Sequence, residues 1–429
     1  MLTQTELEVS SLGACSHESP RKRNRRSDFV PDSTRVRLEH QVGPEITEGV
    51  DLSFETAGPR EKIFFDPAST TAAIVTCGGL SPGLNNVLRS AFLELTHGYG
   101  VQRVLGIREG YRGLNPASGL APVEVTSDLV HNIHDQAGTV LGSSRGAQDP
   151  AVVVDTLERE QIDILFCVGG DGTQRGAHRI HEEIHRRGLD KAVVGIPKTI
   201  DNDIPYVWMS FGYATALEKA EEVLRAAHKE ALGVQNGVGL VKVMGRDAGF
   251  IAAGAAVASQ EANFVLVPEV PFPLEGTDGF LEALERRILA RGHALIVVAE
   301  GAGQHLLDRG GAARDASGNV LYDDIGPFLR DRIAAHFAER HIPLNLKYLD
   351  PSYLIRSVPA TAWDRILSDR MARSAVHAGM AGKTDVMIGF LHSTLIHVPI
   401  PAAVARKKQM EPTSDLWNAV LSATGQPNW

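Results

Sequence analysis

The chain has 429 residues and sets 43 Lys and Arg against 52 Asp and Glu, a formal net charge of −9. With 43% hydrophobic and 22% charged residues it falls outside the disordered and fibrous classes, and its length predicts two domains with a sizeable core. The acidic balance argues against a dedicated nucleic-acid binder. Cys15, Cys77 and Cys167 form no metal-like or redox pair, so reduced thiols are expected. No run of about 18 apolar residues occurs, so no membrane span is expected. The opening MLTQTELEVSSLG lacks the basic-then-apolar order of a secretory signal. These features predict a soluble, cytoplasmic α/β enzyme.

In chain order, residues 1–60 are polar and predicted to be an irregular N-terminal extension. A basic cluster between Arg21 and Arg26 is read as solvated or subunit-contacting rather than as a nucleic-acid arm. Gly58 and Pro59 mark entry into the folded body. Short β-branched runs at 72–77, 101–107, 162–168 and 192–196 predict buried strands, with helical spacing between them at 82–96 and 174–187. A second series follows, with strands at 238–243, 263–267 and 294–299 and helices at 214–231, 277–291 and 326–340. The alternation predicts two doubly wound, Rossmann-like parallel-sheet domains. In such sheets ligands bind beyond the carboxyl ends of the strands.

Several predicted strands lead into glycine or carboxylate motifs. After the first comes Cys77-Gly78-Gly79-Leu80-Ser81-Pro82-Gly83, a turn that suits anion binding but also serves any tight strand–helix connection. After the third comes Gly169-Gly170-Asp171-Gly172-Thr173, with Gly176 beyond. Its backbone N–H groups can hold phosphate while Asp171 holds a hydrated metal. After the fourth comes Lys198-Thr199-Ile200-Asp201-Asn202-Asp203, whose two carboxylates repel unless cations or protons compensate them. One carboxylate there can take a hydroxyl proton while the other orients a cation. In the second series Met244-Gly245-Arg246-Asp247 and Glu300-Gly301 end strands, and Lys347, Tyr353 and Arg356 follow near the end. Arg at strand ends suits a phosphorylated substrate.

Two other patterns are set aside. His181-Glu182-Glu183-Ile184-His185 has zinc-protease spacing, but it lies on an amphipathic, solvent-facing helix without a persuasive third ligand. Gly382-Lys383-Thr384 lacks the earlier glycine of a P-loop, where His377 stands instead.

Taken together, CGGLSPGLNNVLR (77–89), GYRGL (110–114), LGSSRG (141–146), GGDGTQRGA (169–177), PKTIDNDI (197–204), SFGYATALE (210–218), VMGRDAGFIA (243–252), VPE (267–269), AEGAG (299–303) and the DPSYLIR…DRIL stretch (350–367) resemble the ATP-type 6-phosphofructokinase family. The AGPREKIFF run (57–65) and the DPSY loop are most similar to its long plant and trypanosome branch. The resemblance implies transfer of the γ-phosphoryl of ATP, with Mg²⁺, to the 1-hydroxyl of fructose 6-phosphate. It implies an active site in a cleft between a nucleotide-binding domain (61–213, completed by about 355–405) and a sugar-phosphate-binding domain (214–354), with a tail at 406–429. It also implies a homo-oligomer, a dimer or tetramer, and an allosteric enzyme of glycolysis.

By motif, Asp201 would be the general base, with Thr199, Lys198 and Arg246 beside it, and Asp171 would engage Mg²⁺. ATP would be held by Gly78, Gly79, Tyr111, Arg145, Gly170, Asp171, Gly172, Thr173 and Gly176. Fructose 6-phosphate would meet Thr199, Asp201, Asp203, Met244, Gly245, Arg246, Glu300, Tyr353 and Arg356, with Lys347 reaching in from a neighbouring subunit.

The chain departs from the short bacterial members at Gly237 and Lys347, where they carry Arg, at Tyr353, where they carry His, and at Leu80, where Asp is common. Pyrophosphate-using relatives carry a second Asp where Gly172 stands, and they share Lys198. Gly172 leaves room for the nucleotide and favours ATP, because a carboxylate there would repel the α-phosphate. A pyrophosphate-dependent enzyme of the same fold is the alternative. A catalytically silent binding subunit is a further rival, against which intact Asp171, Asp201 and Asp203 speak.

Overall fold

The computed structural model describes residues 2–23, 28–41, 43, 51–307 and 322–429. The chain enters its main sheet through β1 (Arg35–Arg37) and β2 (Ser53–Thr56). It continues through β3 (Thr71–Thr76), β4 (Arg103–Ile107), β5 (Val123–Glu124), β6 (Ile164–Gly169) and β7 (Ala192–Pro197). A second sheet takes β8 (Gly237–Val243), β9 (Phe264–Leu266), β10 (His293–Ala299) and β11 (Asn345–Leu349). Then β12 (Val386–Leu391) and β13 (Thr394–Pro399) return to the first. The spatial orders are β1-β2-β13-β12-β7-β6-β3-β4-β5 and β9-β10-β8-β11.

The second sheet is wholly parallel, and so is the β12-β7-β6-β3-β4 centre of the first. Its strands read as unbroken apolar runs because both faces are covered. In β10 the two faces separate cleanly. Leu295, Val297 and Ala299 join the core under helices Tyr213–Leu232 and Phe250–Ser259, while Ala294, Ile296 and Val298 join the core under Phe280–Arg291 and Ile325–Glu339. The predicted strands and helices of both series are present, with ends shifted by one to three residues, as fraying and capping allow. Among the described residues no helix is long and apolar enough to cross a membrane.

The first 60 residues are less irregular than expected. Val36 of β1 and Phe54 of β2 lie opposite each other, β2 pairs antiparallel with β13, and Phe54 and Leu7 are fully buried. Arg21, at the head of the basic cluster, is not solvated. The residue is 1% exposed, and its guanidinium pairs with Glu94 and with Asp28 at 2.8 Å. Residues 24–27, which include Arg25 and Arg26, lie outside the described residues. The stretch expected as a tail also packs: Met410, Trp417 and Val420 are buried in the core of the second sheet, around helix Asp415–Thr424.

Removing one partner of a buried ion pair strands the other charge away from water. Arg21→Ala should therefore lower unfolding stability by about 3 kcal/mol, read as a lower urea midpoint. A change within about 0.5 kcal/mol, the range of ordinary surface substitutions, would mean that this contact does not hold the N-terminal segment.

Candidate active site

The carboxyl ends of the two parallel sheets face one crevice. From the first sheet, β3 delivers Gly78 and Gly79, β6 delivers Gly170, Asp171 and Gly172, and β7 delivers Lys198, Thr199, Asp201 and Asp203. From the second, β8 delivers Met244, Arg246 and Asp247, and β10 delivers Glu300. With Tyr111, Arg145, Thr173, Gly176 and Arg356 they line a cavity of about 470 Å³, within the range for a small-molecule site.

The loop after β7 is tightly tied. Ser210 Oγ donates to the Thr199 carbonyl (2.6 Å), and Thr199 Oγ1 donates to Asp203 Oδ1 (2.7 Å) while accepting from the Asp201 N–H (3.1 Å). Asn202 takes the left-handed conformation (φ 56°), which Asn tolerates, and its side chain bridges Trp208 and Ser210. The outcome is a fixed Asp201 whose Oδ1 is shut off from solvent with no hydrogen-bond partner among the described residues. Burial, reinforced by Asp203 and Glu300, pushes the Asp201 carboxyl up to about 8. Lys198 Nζ donates to the Gly79 carbonyl (2.6 Å), and burial pulls its ammonium down to about 8.

Asp171 opens the helix Asp171–Arg186, whose first turn presents N–H groups to the crevice. Its carboxylate pairs with Arg175 at 2.7 Å, yet burial holds its pKa above the usual range, with Asp203 adding to the shift. The backbone at Gly79 leaves an open cradle, where an added Cβ would sit 3.4 Å from Arg356 Nη1 and 3.7 Å from Arg145 Nη2. That cradle, the helix start and the surrounding cations fit a polyphosphate. Among the described residues no cluster of three or more His, Cys, Asp or Glu is able to hold a metal by itself. An ion held by one carboxylate, phosphate oxygens and waters is the Mg²⁺ pattern, and Asp171 fits that donor set.

Every residue expected at the site lines this crevice except Gly245, Lys347 and Tyr353. Gly245 is the hinge of the turn that aims Arg246. It has φ +128°, and an added Cβ would come within 2.7 Å of the Ala248 carbonyl oxygen. Lys347 sits exposed on the edge strand β11, and Tyr353 is 73% exposed beneath the Arg356 guanidinium at 5.3 Å. Tyr111 is buried under the first turn of the Asp171–Arg186 helix, its hydroxyl donating to the Thr173 carbonyl at 2.8 Å. Gly237 stands at the amino end of β8, far from the crevice, where an added Cβ would meet the Ala231 carbonyl oxygen at 2.0 Å. A side chain there has no room without a backbone shift. In the histidine-rich helix, His181 Nδ1 lies 3.1 Å from Thr384 Oγ1 and His178 pairs with Asp385.

The crevice also holds residues that motif reading passed over, notably Arg175, Arg179 and Lys407. Arg175 and Arg179 fall at i+4 and i+8 from Asp171, a spacing that points to one helix face. Lys407 lies more than 200 residues beyond Asp203 in a basic stretch that looks like ordinary surface charge.

The model of the family described as "Phosphofructokinase" matches residues 71–379. The chain is 45% identical, over 98% of its length and 97% of the relative's, to a protein of Borreliella burgdorferi named ATP-dependent 6-phosphofructokinase. Proteins of the same name from Amycolatopsis methanolica (46%, covering 98% and 95%) and Trypanosoma brucei brucei (43%, covering 99% and 88%) are similarly related. Among solved structures it is similar to a pyrophosphate-dependent phosphofructokinase from Marinobacter aquaeolei. That match has a TM-score of 0.68 and 20% identity, covering 84% of this chain and 92% of that one. It is also similar to Pichia pastoris phosphofructokinase in the T-state, with a TM-score of 0.64 and 20% identity, covering 93% and 41%. At that identity the structural likeness speaks to the fold alone.

The Asp201 geometry has a consequence for stability. Because the folded pKa lies above the unfolded one, the folded state binds the proton more tightly, and stability falls as pH rises from about 4 towards 8. Asp201→Asn cannot ionise and escapes that loss. Its melting temperature should match wild type near pH 4 and exceed it by several degrees above pH 8. Parallel melting curves at every pH would contradict the assigned environment.

Proposed function

Because the chain belongs to the phosphofructokinase family, we propose that its crevice transfers the γ-phosphoryl group of ATP to the 1-hydroxyl of fructose 6-phosphate, giving fructose 1,6-bisphosphate and ADP. The observation that carries this reading is Asp201: an acceptor oxygen without a partner, on a carboxyl whose pKa is pushed up to about 8, at the meeting of two sets of strand ends. A base near the working pH is what proton removal from an alcohol asks for.

Phosphoryl transfer is governed by positioning and charge neutralisation, and the cations of the crevice supply both. On the side of the first sheet, Gly78, Gly79, Arg145, Gly170, Gly172, Thr173 and Gly176 would cradle the nucleotide, with Tyr111 supporting the helix start beneath it. On the side of the second, Met244, Gly245, Arg246, Glu300 and Arg356 would hold the sugar phosphate, with Asp203 and Thr199 steering the loop that bears Asp201. Lys198 would lie along the transferred group. Asp171 would hold Mg²⁺, which when bound neutralises donor-phosphate charge.

The names of the relatives and the absence of a carboxylate at Gly172 both favour ATP over pyrophosphate. Residues 61–213 with about 355–405 would form the nucleotide-binding domain and 214–354 the sugar-phosphate domain. The exposed Lys347, Tyr353 and Leu354 suit a homo-oligomer, a dimer or tetramer, in which Lys347 reaches a neighbouring crevice. A cytoplasmic enzyme of glycolysis fits this chemistry.

The test is purified protein with fructose 6-phosphate and Mg²⁺, comparing ATP with pyrophosphate as donor. ATP should be used, pyrophosphate should not, and chelating Mg²⁺ should abolish turnover. Asp201→Asn should lower kcat by about 10²- to 10⁴-fold, the worth of a positioned base. Only ionised Asp201 accepts a proton, so kcat/KM of the wild type should rise with pH and level off above about 8. Gly172→Asp should raise KM for ATP about tenfold, the effect of roughly 1.4 kcal/mol of like-charge repulsion. Equal use of both donors by the wild type, or no product from either, would overturn the assignment.

A further inference from the structure

The last crossing of the chain between the two sheets, residues 404–411, is bonded to both sides of the crevice. Towards the first sheet, the Lys408 N–H donates to the Asp203 carbonyl (2.9 Å), and Lys408 Nζ donates to the carbonyls of Val207 (2.8 Å) and Trp208 (3.0 Å). Towards the second, Gln409 Nε2 donates to the Asp247 carbonyl (3.0 Å) and the Met410 N–H to Glu269 Oε1 (2.9 Å). The same Glu269 carboxylate accepts from the Gly249 N–H, at the start of a helix packed on the second sheet. Immediately before these anchorages Lys407 turns into the crevice. Its Nζ lies 2.8 Å from Asp247 Oδ2 and 3.4 Å from Asp203 Oδ2.

We propose that Lys407 is a positioning residue whose ammonium clamps the loop bearing Asp201 to the loop bearing Arg246. The linkage can be followed bond by bond. Asp203 gives one oxygen to Lys407 and the other to Thr199 Oγ1, and that hydroxyl in turn accepts from the Asp201 N–H. On the opposite side Asp247 directly follows Arg246 in a turn already constrained by Gly245. A shift of the ammonium is therefore relayed to the backbone of Asp201 through three hydrogen bonds, and to Arg246 through one hydrogen bond and one peptide. Lys407 also stays charged. Burial alone would lower its pKa, but Asp203, Asp247 and Asp171 outweigh that and raise it. Without the clamp, Asp203 and Asp247 would face each other as uncompensated carboxylates and drive the loops apart.

This inference rests on the reading above for its kinetic arm, while hydrogen exchange tests it independently of turnover. Lys407→Gln and Lys407→Arg should be compared with wild type. For Lys407→Gln, kcat should fall about tenfold or more, since small misplacement of reacting groups is costly. KM for fructose 6-phosphate should stay within about threefold, because the ammonium does not bind that substrate in this scheme. Exchange of the backbone amides at 199–203 and 244–248 should speed up about tenfold in both loops together. Lys407→Arg, which restores a cation, should recover most of the lost kcat and protection.

A kcat within about twofold of wild type, faster exchange in neither loop, or an Arg variant no better than Gln would overturn the proposal. Should Lys407→Gln fail to fold, a folded Lys407→Arg with wild-type exchange in both loops supports the clamp, and one with unprotected loops refutes it. A wild type inactive with either donor would sink the kinase reading alone, leaving the exchange result to decide on Lys407.

Discussion

The crevice depends on holding a carboxyl group where water would not choose to put it. Asp201 is buried, lacks a partner for one oxygen and faces two like charges, Asp203 and Glu300. Each of these conditions disfavours ionisation, and together they create an acceptor that is poised rather than quenched. An ordinary fold would bond that oxygen or expose it. Here the surrounding loop is over-determined instead, by Thr199, Asn202 and Ser210, so the strain of holding the group falls on many small bonds.

The same logic runs through the rest of the site. Lys198 is a buried cation whose pKa is drawn down towards neutrality, and Asp171 a carboxylate drawn upwards. Some charges of the crevice are paired, Asp171 with Arg175 and Asp247 with Lys407, while Asp201 keeps an oxygen without a partner among the described residues. The second sheet brings Arg246 and Glu300 by the same device as the first, the end of a parallel strand. The geometry of the site is thus largely the geometry of where strands stop.

That is also why much of it was readable in advance. Buried parallel strands leave unbroken apolar runs, and the residues after each run are forced to the crevice side. Gly170-Asp171-Gly172 and Thr199–Asp203 announce themselves by position as much as by chemistry. What periodicity passed over has physical causes as well. β1 and β2 are short, β13 is an antiparallel strand with the polar His397 buried among its apolar residues, and β11 is a half-exposed edge. The buried Arg21 looks like its solvated neighbours because burial of a charge is set by distant partners, Glu94 above all. Lys407 is the strongest case: its role comes from a chain crossing that no local window contains.

The order of strands in the first sheet has a bearing on how the protein is made. β7 is flanked by β6 and β12, and the whole second sheet is synthesised between β7 and β12. While the chain grows from the ribosome, β7 therefore lacks its second neighbour, leaving one edge of backbone N–H and C=O groups unpaired between apolar side chains until Val386–Leu391 emerges. Open edges of this kind recruit other strands, including those of neighbouring nascent chains. The placement that lets two sheets share one crevice thus leaves the first sheet's centre incomplete until the last part of the chain has been made.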